Sequence, residues 1–583
     1  MTQRPLDAPA AGESVDDILQ VSGLQVEYHS AGETFPAVRG VSFSIPRGKI
    51  VAIVGESGSG KSTISQSLIR RLSTGGSITS GSIVFDGINL TQLSEKKLRR
   101  IRGARIGFVP QDPSNSLNPL MKIGEQIAES LRLHEKSSAS AAAVRAVEIL
   151  REVGIPDASA RAGQYPHQLS GGMRQRVLIG MAWACNPDLV IADEPTSALD
   201  VTVQRQVLDR MERLASERGT AVLLVTHDLA VAADRADEIL VMQQGLIVEQ
   251  GHAKEVLENP THSYTQRLVA AAPGLNSARL QAQLLPFGSS GPLGSSLFAG
   301  RPISVETSFE GIEKIPVPGL APVLEVRKLV KTFALRTPGA PASVLTAVNN
   351  VSFAVQRGQT LSIVGESGSG KTTTARIAAR IASADSGTVL FDGEDVTTLQ
   401  GEKLRQLRRR IQVVYQNPFG SLDPRMTLER IITEPLRAFK LGDRKRQAEA
   451  AKELLECVQL SPDLINRRPG QLSGGQRQRV AIARALALGP EMMVLDEPVS
   501  ALDVSVQEQI LQLLVNLQAQ FNLSYLFISH DLGVIRQVSD EIVVMRFGDV
   551  IEAGPAAQIL KSPTQAYTRE LLESIPGQLQ GQS

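Results

Sequence analysis

Apolar positions in this chain fall into short runs, and the runs form two similar series. Residues 50–54, 361–364, 189–192 and 492–495 are almost wholly apolar. Runs this short, without polar alternation, predict strands buried on both faces of a parallel sheet. Residues 18–45 and 323–355 alternate instead and are broken by Gly and Ser, which predicts a small antiparallel layer opening each series. Helical spacing takes over across 117–169 and 422–472, for instance at 141–153 and 447–458, so each series carries a helical sub-domain. Basic stretches at 96–102 and 403–410 predict helices with solvated charged faces. Residues 274–322 hold frequent Pro, Gly and Ser with no sustained period and predict a connector. The pattern therefore divides the chain into α/β domains at 18–273 and 323–577, with solvated tails at 1–17 and 578–583.

The first apolar run of each series leads into Gly55-Glu56-Ser57-Gly58-Ser59-Gly60-Lys61-Ser62-Thr63 or Gly365-Glu366-Ser367-Gly368-Ser369-Gly370-Lys371-Thr372-Thr373, and a helix-compatible segment follows. Strand, glycine loop and helix make the phosphate-binding P-loop context: free backbone N–H groups converge on phosphate oxygens, and the helix N-terminus adds its positive dipole end. Lys61 and Lys371 would reach the β/γ-phosphates, and the hydroxyls of Ser62 and Thr372 would hold Mg²⁺. Two copies with identical Gly-Glu-Ser-Gly-Ser-Gly-Lys cores exclude a chance match.

Further motifs recur in the same order. Strands end near Gln111 and Gln416, followed by Ser116-Leu117-Asn118-Pro119 and Ser421-Leu422-Asp423-Pro424. Ser170-Gly171-Gly172 and Ser473-Gly474-Gly475 open long helices in the form of an anion-binding helix start, or of a simple cap. The runs at 189–192 and 492–495 end in Asp193-Glu194 and Asp496-Glu497, where parallel sheets bind ligands. Asp193 and Asp496 would face the Mg²⁺ shell, and Glu194 and Glu497 could polarise an attacking water. His227 and His530, two of only seven histidines, occupy matching strand ends and are read as phosphate contacts. Tyr28 and Phe333 precede their loops; each ring could stack on an adenine or fill a half-buried strand position. Spacing between partners is constant from Ser170/Ser473 through His227/His530, so the chain is a tandem duplication.

Lys plus Arg number 61 against 60 Asp plus Glu, a net charge of +1, which gives no support to a broad nucleic-acid surface. Cys185 and Cys457 fall at unrelated places and are expected to be buried thiols, without a disulfide framework or metal cluster. The first residues lack an export-signal pattern, and no apolar run approaches the roughly 20 residues that span a bilayer, so membrane association is expected through partners.

This order of motifs resembles the ATP-binding cassette (ABC) family over nearly the whole chain. The resemblance implies an α/β fold of two P-loop NTPase (ABC ATPase) domains, each with an antiparallel β layer, a mainly parallel core sheet and a helical sub-domain. Lys61, Gln111, Ser170, Asp193, Glu194 and His227 match the Walker A, Q-loop, signature, Walker B, catalytic glutamate and switch histidine positions; Lys371, Gln416, Ser473, Asp496, Glu497 and His530 match them in the second half. It further implies ATP bound at Gly55, Ser57, Gly58, Gly60, Lys61, Ser62 and Thr63, and at Gly365, Ser367, Gly368, Gly370, Lys371, Thr372 and Thr373. Magnesium would lie against Ser62, Gln111 and Asp193, and against Thr372, Gln416 and Asp496. The domains would pair head to tail, each ATP completed by the other half's Ser-Gly-Gly. Met173, where the second half has Gln476, is the visible departure.

A narrower resemblance is to the dipeptide, oligopeptide and nickel importer ATPases, carried by Gln111-Asp112-Pro113, Gln416-Asn417-Pro418 and the tails Pro260-Thr261-His262-Ser263-Tyr264-Thr265 and Pro563-Thr564-Gln565-Ala566-Tyr567-Thr568. It implies an ATPase on the cytoplasmic face of the cell membrane, beneath two permease subunits served by an extracytoplasmic substrate-binding protein, with no direct nucleic-acid contact. Neither tail has the cysteine cluster of many relatives, so no iron–sulfur centre is expected. The alternatives are a soluble twin-cassette factor acting on ribosomes or DNA, and an exporter energiser. The Pro/Gly/Ser-rich connector argues against the first; the second stays open.

Overall fold

The computed structural model describes residues 17–30, 33–135, 137–196, 199–271, 279–283, 321–335, 343–416, 418–500 and 502–575. The expected tails, except for Asp17, most of the connector, Pro576, Gly577, and Ser197, Ala198 and Ala501 of the turns after the carboxylates lie outside the described residues. The described residues divide into two compact units, one within Met1–Ser197 and Gln204–Ala270, the other within Ala198–Val203 and Ala271–Ser583.

In the first unit, β1 (Asp17–Ser30), β2 (Glu33–Pro46), β4 (Gly76–Phe85) and β5 (Ile88–Asn89) form an antiparallel sheet in the order β2-β1-β4-β5. A six-stranded sheet runs β10-β9-β3-β8-β7-β6, built from β3 (Ile50–Val54), β6 (Ile106–Val109), β7 (Leu189–Asp193), β8 (Ala221–Val225), β9 (Glu238–Gln243) and β10 (Leu246–His252). Its neighbours pair in parallel except at the β10 edge. The second unit repeats this plan. Its antiparallel sheet is β12-β11-β14-β15, from β11 (Leu324–Leu335), β12 (Ser343–Val355), β14 (Ser386–Phe391) and β15 (Glu394–Asp395). Its main sheet is β16-β17-β18-β13-β19-β20, from β13 (Thr360–Val364), β16 (Ile411–Val414), β17 (Met492–Asp496), β18 (Ser524–Ile528), β19 (Glu541–Arg546) and β20 (Asp549–Pro555).

The unbroken apolar runs have a simple cause. Successive side chains of a strand point to opposite faces, and both faces of this sheet are covered. In β17, Met492 and Val494 join the core beneath the antiparallel sheet, while Met493 and Leu495 join the core shared with the helical sub-domain. The helical sub-domains rest on Ile123–His134, Ala139–Glu152 and Gly171–Trp183 in the first unit, and on Leu428–Ala438, Arg444–Cys457 and Gly474–Leu486 in the second. Among the described residues, no helix is long and apolar enough to cross a membrane. Cys457 is buried, but Cys185 is only half-buried, with Sγ toward the Ser130 carbonyl, which corrects the expectation of two buried thiols. Burial raises the Cys185 thiol to about 11 and Cys457 to about 12, so both are poor nucleophiles at neutral pH.

Part of the expected connector is docked. Residues 279–283 lie along the second unit: the Leu280 amide donates to the Gln537 carbonyl at 3.0 Å and the Gln283 amide to Asn516 Oδ1 at 2.8 Å. Gln512 donates to the Gln281 carbonyl at 2.7 Å, Arg279 pairs with Asp540, and Leu280 packs on the core. Replacing Leu280 with Ala is expected to cost about 1 kcal/mol, lowering the melting temperature of the second unit by roughly 2–4 °C. Calorimetry checks this; an unchanged transition would show that the strap contributes no packing.

Candidate functional site

Each glycine loop leaves the C-terminal end of a central strand, β3 or β13, and turns into a helix, Lys61–Leu68 or Lys371–Ala378. Its path requires glycine. Gly55 has φ 147°, and a Cβ there would stand 2.2 Å from the Met242 carbonyl oxygen; at Gly60, with φ 105°, it would stand 2.5 Å from that of Ala37. Gly365 and Gly370 meet Met545 and Ala347 in the same way, and Gly58 and Gly368 also have positive φ. Ser57 and Ser367 sit in the loops, and Thr63 and Thr373 in the first helical turns. The Gly245 amide, in the β9–β10 turn, donates to the Ser59 carbonyl at 2.9 Å, and Gly548 donates to Ser369 at 3.0 Å. The loop is thus fixed by backbone on several sides, and its lysine folds onto it. Lys61 Nζ donates to the Gly55 and Glu56 carbonyls at 2.6 and 2.9 Å, and Lys371 Nζ to those of Gly365 and Glu366 at 2.6 and 2.7 Å.

Beside the lysine stand the paired carboxylates. Ser62 Oγ donates to Asp193 Oδ1 at 3.0 Å and Ser65 Oγ to Oδ2 at 2.9 Å. Thr372 Oγ1 donates to Asp496 at 3.1 Å, but Ala375 stands where the first unit has Ser65, so the second aspartate lacks that donor. Burial raises the pKa of both aspartates, and the hydroxyls oppose it only in part. A buried carboxylate bonded to hydroxyls is a hard-oxygen donor set suited to Mg²⁺. Among the described residues, no group of three or more His, Cys, Asp and Glu is arranged to hold a metal. The fit to magnesium therefore rests on Ser62 with Asp193 and on Thr372 with Asp496.

Glu194 and Glu497 adopt left-handed backbone at φ 46° and 48°, a conformation unusual for non-glycine residues and concentrated at functional sites. Each amide is held by the next strand, Glu194 to the Val225 carbonyl at 2.8 Å and Glu497 to that of Ile528 at 3.0 Å. Each carboxylate then gathers two of the recurring polar residues. Gln111 Nε2 donates to Glu194 Oε2 at 2.7 Å and His227 Nδ1 lies 3.3 Å from Oε1; Gln416 and His530 repeat both distances at Glu497. Burial would raise Glu497, but the hydrogen bond and charge of His530, with Lys371, hold it below its usual value. Burial would lower His530, but Glu497 outweighs it and the imidazole pKa is raised. Burial lowers Lys371 against the attraction of the surrounding carboxylates.

The remaining candidates make local contacts within their own units. Ser170 caps the helix Gly171–Trp183 by accepting from Met173 N at 3.4 Å, with Gly172 in its first turn. Ser473 accepts from Gln476 N at 3.3 Å, and Gln476 Oε1 accepts from Ser473 N at 3.0 Å, a reciprocal capping box leading into Gly474 and Gly475. Met173 removes the second half of that exchange. Tyr28 is half-buried against the first unit's core, opposite Phe35 and Gly76. Phe333 is 44% exposed, with Lys331 Nζ 5.7 Å from its ring centroid. Sequence reasoning missed three features: Ser65, the backbone strain at the glutamates, and Tyr264 and Tyr567, whose hydroxyls accept from the loop amides of Glu56 and Glu366 at 3.0 and 3.3 Å. The recurrence of Tyr in both tails was the available signal for the last.

Two units, each with a glycine-fixed loop, its lysine and a strained glutamate at the end of a mainly parallel sheet, define ATP-binding cassettes. The sequence profile of the ABC transporter family matches residues 38–197 and 348–500, and that of the oligopeptide/dipeptide transporter C-terminal region matches 248–292 and 551–582. The chain belongs to the ABC transporter family. It is 45% identical over 568 residues to the glutathione import ATP-binding protein GsiA of Salmonella choleraesuis (strain SC-B67), covering 96% of this chain and 90% of that one. Its identity to the protein of the same name from Escherichia coli O6:H1 is 44%, with the same coverage.

Two outcomes follow from this geometry. Glu497 contributes stability above its ordinary pKa of 4.5 that fades as pH falls through its lower folded value; His530 contributes below 6.5, and this fades as pH rises through its higher folded value. Glu497→Gln should therefore move the His530 titration, followed by NMR, to lower pH; an unmoved titration would break the pairing. Met173→Gln should complete the cap and stabilise the first unit by about 0.5–1 kcal/mol; thermal melting that shows no gain would refute it.

Proposed function

We infer that the chain is the ATP-hydrolysing subunit of an importer for glutathione or short peptides, working through two separate permease subunits and an extracytoplasmic binding protein at the cytoplasmic face of the cell membrane. The observation that carries the reading is the repeated constellation of lysine, hydroxyl, aspartate, glutamate, glutamine and histidine, with an importer-type tail on both units. Relatives at 45% identity named for glutathione import support the cargo class. They favour import over the ribosomal and exporter alternatives.

In this reading the loop amides and Lys61 or Lys371 receive the phosphates of ATP. Ser62 with Asp193, and Thr372 with Asp496, would hold a magnesium ion, which when bound would supply positive charge against the phosphates. Glu194 and Glu497 orient the attacking water and draw on its proton. Gln111 and Gln416 already bond to those carboxylates, so reaching the metal would mean releasing one oxygen of the glutamate. His227 and His530 hold the other oxygen and stand ready to face the terminal phosphate. Head-to-tail pairing would add Ser473, Gly474 and Gly475 to the Lys61 site and Ser170, Gly171 and Gly172 to the Lys371 site. Closure around ATP and its reversal after hydrolysis would then drive alternating access in the permeases.

Glu194→Gln and Glu497→Gln are each expected to lower steady-state ATPase turnover, and the double variant to lose about 100-fold or more. An unchanged rate in either single variant would make that site regulatory. Purification from membranes should recover permease subunits; recovery with ribosomes and without permeases would overturn the transporter assignment.

A further inference from the structure

The P-loop of each unit is tied to the segment that follows its cassette, and the tie is the same in both. In the first unit Glu249, on β10, accepts from Thr261 N and Thr261 Oγ1 at 2.7 and 2.8 Å and from His262 N at 3.1 Å. This anchors the start of the tail helix Ser263–Ala271. Tyr264, in its first turn and only 3% exposed, reaches the P-loop, where its hydroxyl accepts from Glu56 N. The carbonyl of that same peptide, which belongs to Gly55, accepts from Lys61 Nζ at 2.6 Å. One peptide therefore lies between the tail tyrosine and the loop lysine. The β9–β10 turn closes the frame, because Gly245 holds Ser59 while Glu249, a few residues on, holds the tail.

The second unit repeats every part. Glu552 accepts from Thr564 N and Oγ1 at 2.8 Å each, Tyr567 is 5% exposed, and its hydroxyl accepts from Glu366 N, in the peptide whose Gly365 carbonyl accepts from Lys371 Nζ at 2.6 Å. Arg546 adds its guanidinium 4.4 Å from the Tyr567 ring centroid, where the first unit has Gln243. A buried ring would serve packing alone. Two buried rings whose hydroxyls both land on the N–H of a P-loop peptide whose carbonyl accepts from the lysine do more than pack.

We propose that Tyr264 and Tyr567 are positioning residues for the P-loop, fixing the Gly55–Glu56 and Gly365–Glu366 peptides so that the neighbouring lysine is presented to the nucleotide's phosphates. The proposal rests on the reading of these loops as ATP sites. The tyrosines touch neither phosphate nor water in this scheme; they act through the loop backbone. A nucleotide that takes the lysine from its carbonyls leaves the tyrosine bond in place, so the loop keeps its shape as its charge partner changes.

The test is the double variant Tyr264→Phe, Tyr567→Phe in the full chain, which keeps both buried rings and deletes only the hydroxyls. Binding of a fluorescent ATP analogue at equilibrium and steady-state ATPase kinetics are measured with the melting temperature. The expected result is a rise of about 2- to 10-fold in KM and in the analogue's Kd, the range one hydrogen bond commands, with kcat within about 2-fold and an unchanged melting temperature. Unchanged KM and Kd would overturn the proposal, as would loss of kcat together with a lower melting temperature, the mark of a purely structural role. A wild-type protein that bound the analogue without turnover would instead sink the ATPase reading, and the Kd comparison would still decide this one.

Discussion

The constraint on which both units depend is the approach of strand backbone to loop backbone beneath each P-loop. The carbonyls of Met242 and Met545 come so near Gly55 and Gly365 that no side chain fits, and those of Ala37 and Ala347 do the same at Gly60 and Gly370. These carbonyls belong to β9 and β19, paired in parallel with the strands that lead into the loops, and to β2 and β12 of the antiparallel layer. Strand order therefore shapes the anion site. Backbone amides need no reorganisation to receive a phosphate when the sheet has already aimed them.

Around that frame, the costly groups are held in ways that separate their tasks. Asp193 is buried and receives two hydroxyl hydrogen bonds, and both of its oxygens face donors that a magnesium ion could share or replace. Glu194 is forced into left-handed backbone and receives a glutamine and a histidine instead. Adjacent carboxylates repel, and the peptide turn between them sends their side chains to different partners. The units are nevertheless unequal. Ala375 deprives Asp496 of one donor, Met173 deprives the first signature helix of its reciprocal cap, and Arg546 gives the second tail an anchor that Gln243 does not supply. A tandem duplication has kept its chemistry and let its supports diverge.

The sequence made legible whatever is written locally. Apolar runs read as doubly buried strands because β7 and β17 are covered on both faces, and the glycine loops read as P-loops because the motif encodes its own backbone path. What stayed hidden depends on distant residues. Tyr264 meets Glu56 across 208 positions, and nothing near either residue announces the other. Composition could not show that five residues of a Pro/Gly/Ser-rich stretch dock, since docking needs only Leu280, Arg279 and a few backbone groups facing the right helix. Cys185 is expected to be buried for want of a disulfide or metal pattern, yet it sits where the helix Gly171–Trp183 has ended and burial is partial.

The lysine shows how these layers act together. Bound to two carbonyls, an ammonium already makes charge-assisted hydrogen bonds, but to neutral acceptors; offered a phosphate, it gains an acceptor that is itself charged, and Coulomb attraction adds to the hydrogen bond. In the proposed reading that added attraction would favour transfer of Lys61 from the carbonyls to a nucleotide's phosphate. It would cost the loop its shape if the lysine were what held that shape. The Gly55–Met242 contact, the Ser59–Gly245 bond and the Glu56–Tyr264 bond all survive the transfer, because none of them involves the ammonium. The loop could then surrender its lysine and stay folded, and under the proposed function that separation of scaffold from charge would let the same site bind and release phosphate repeatedly.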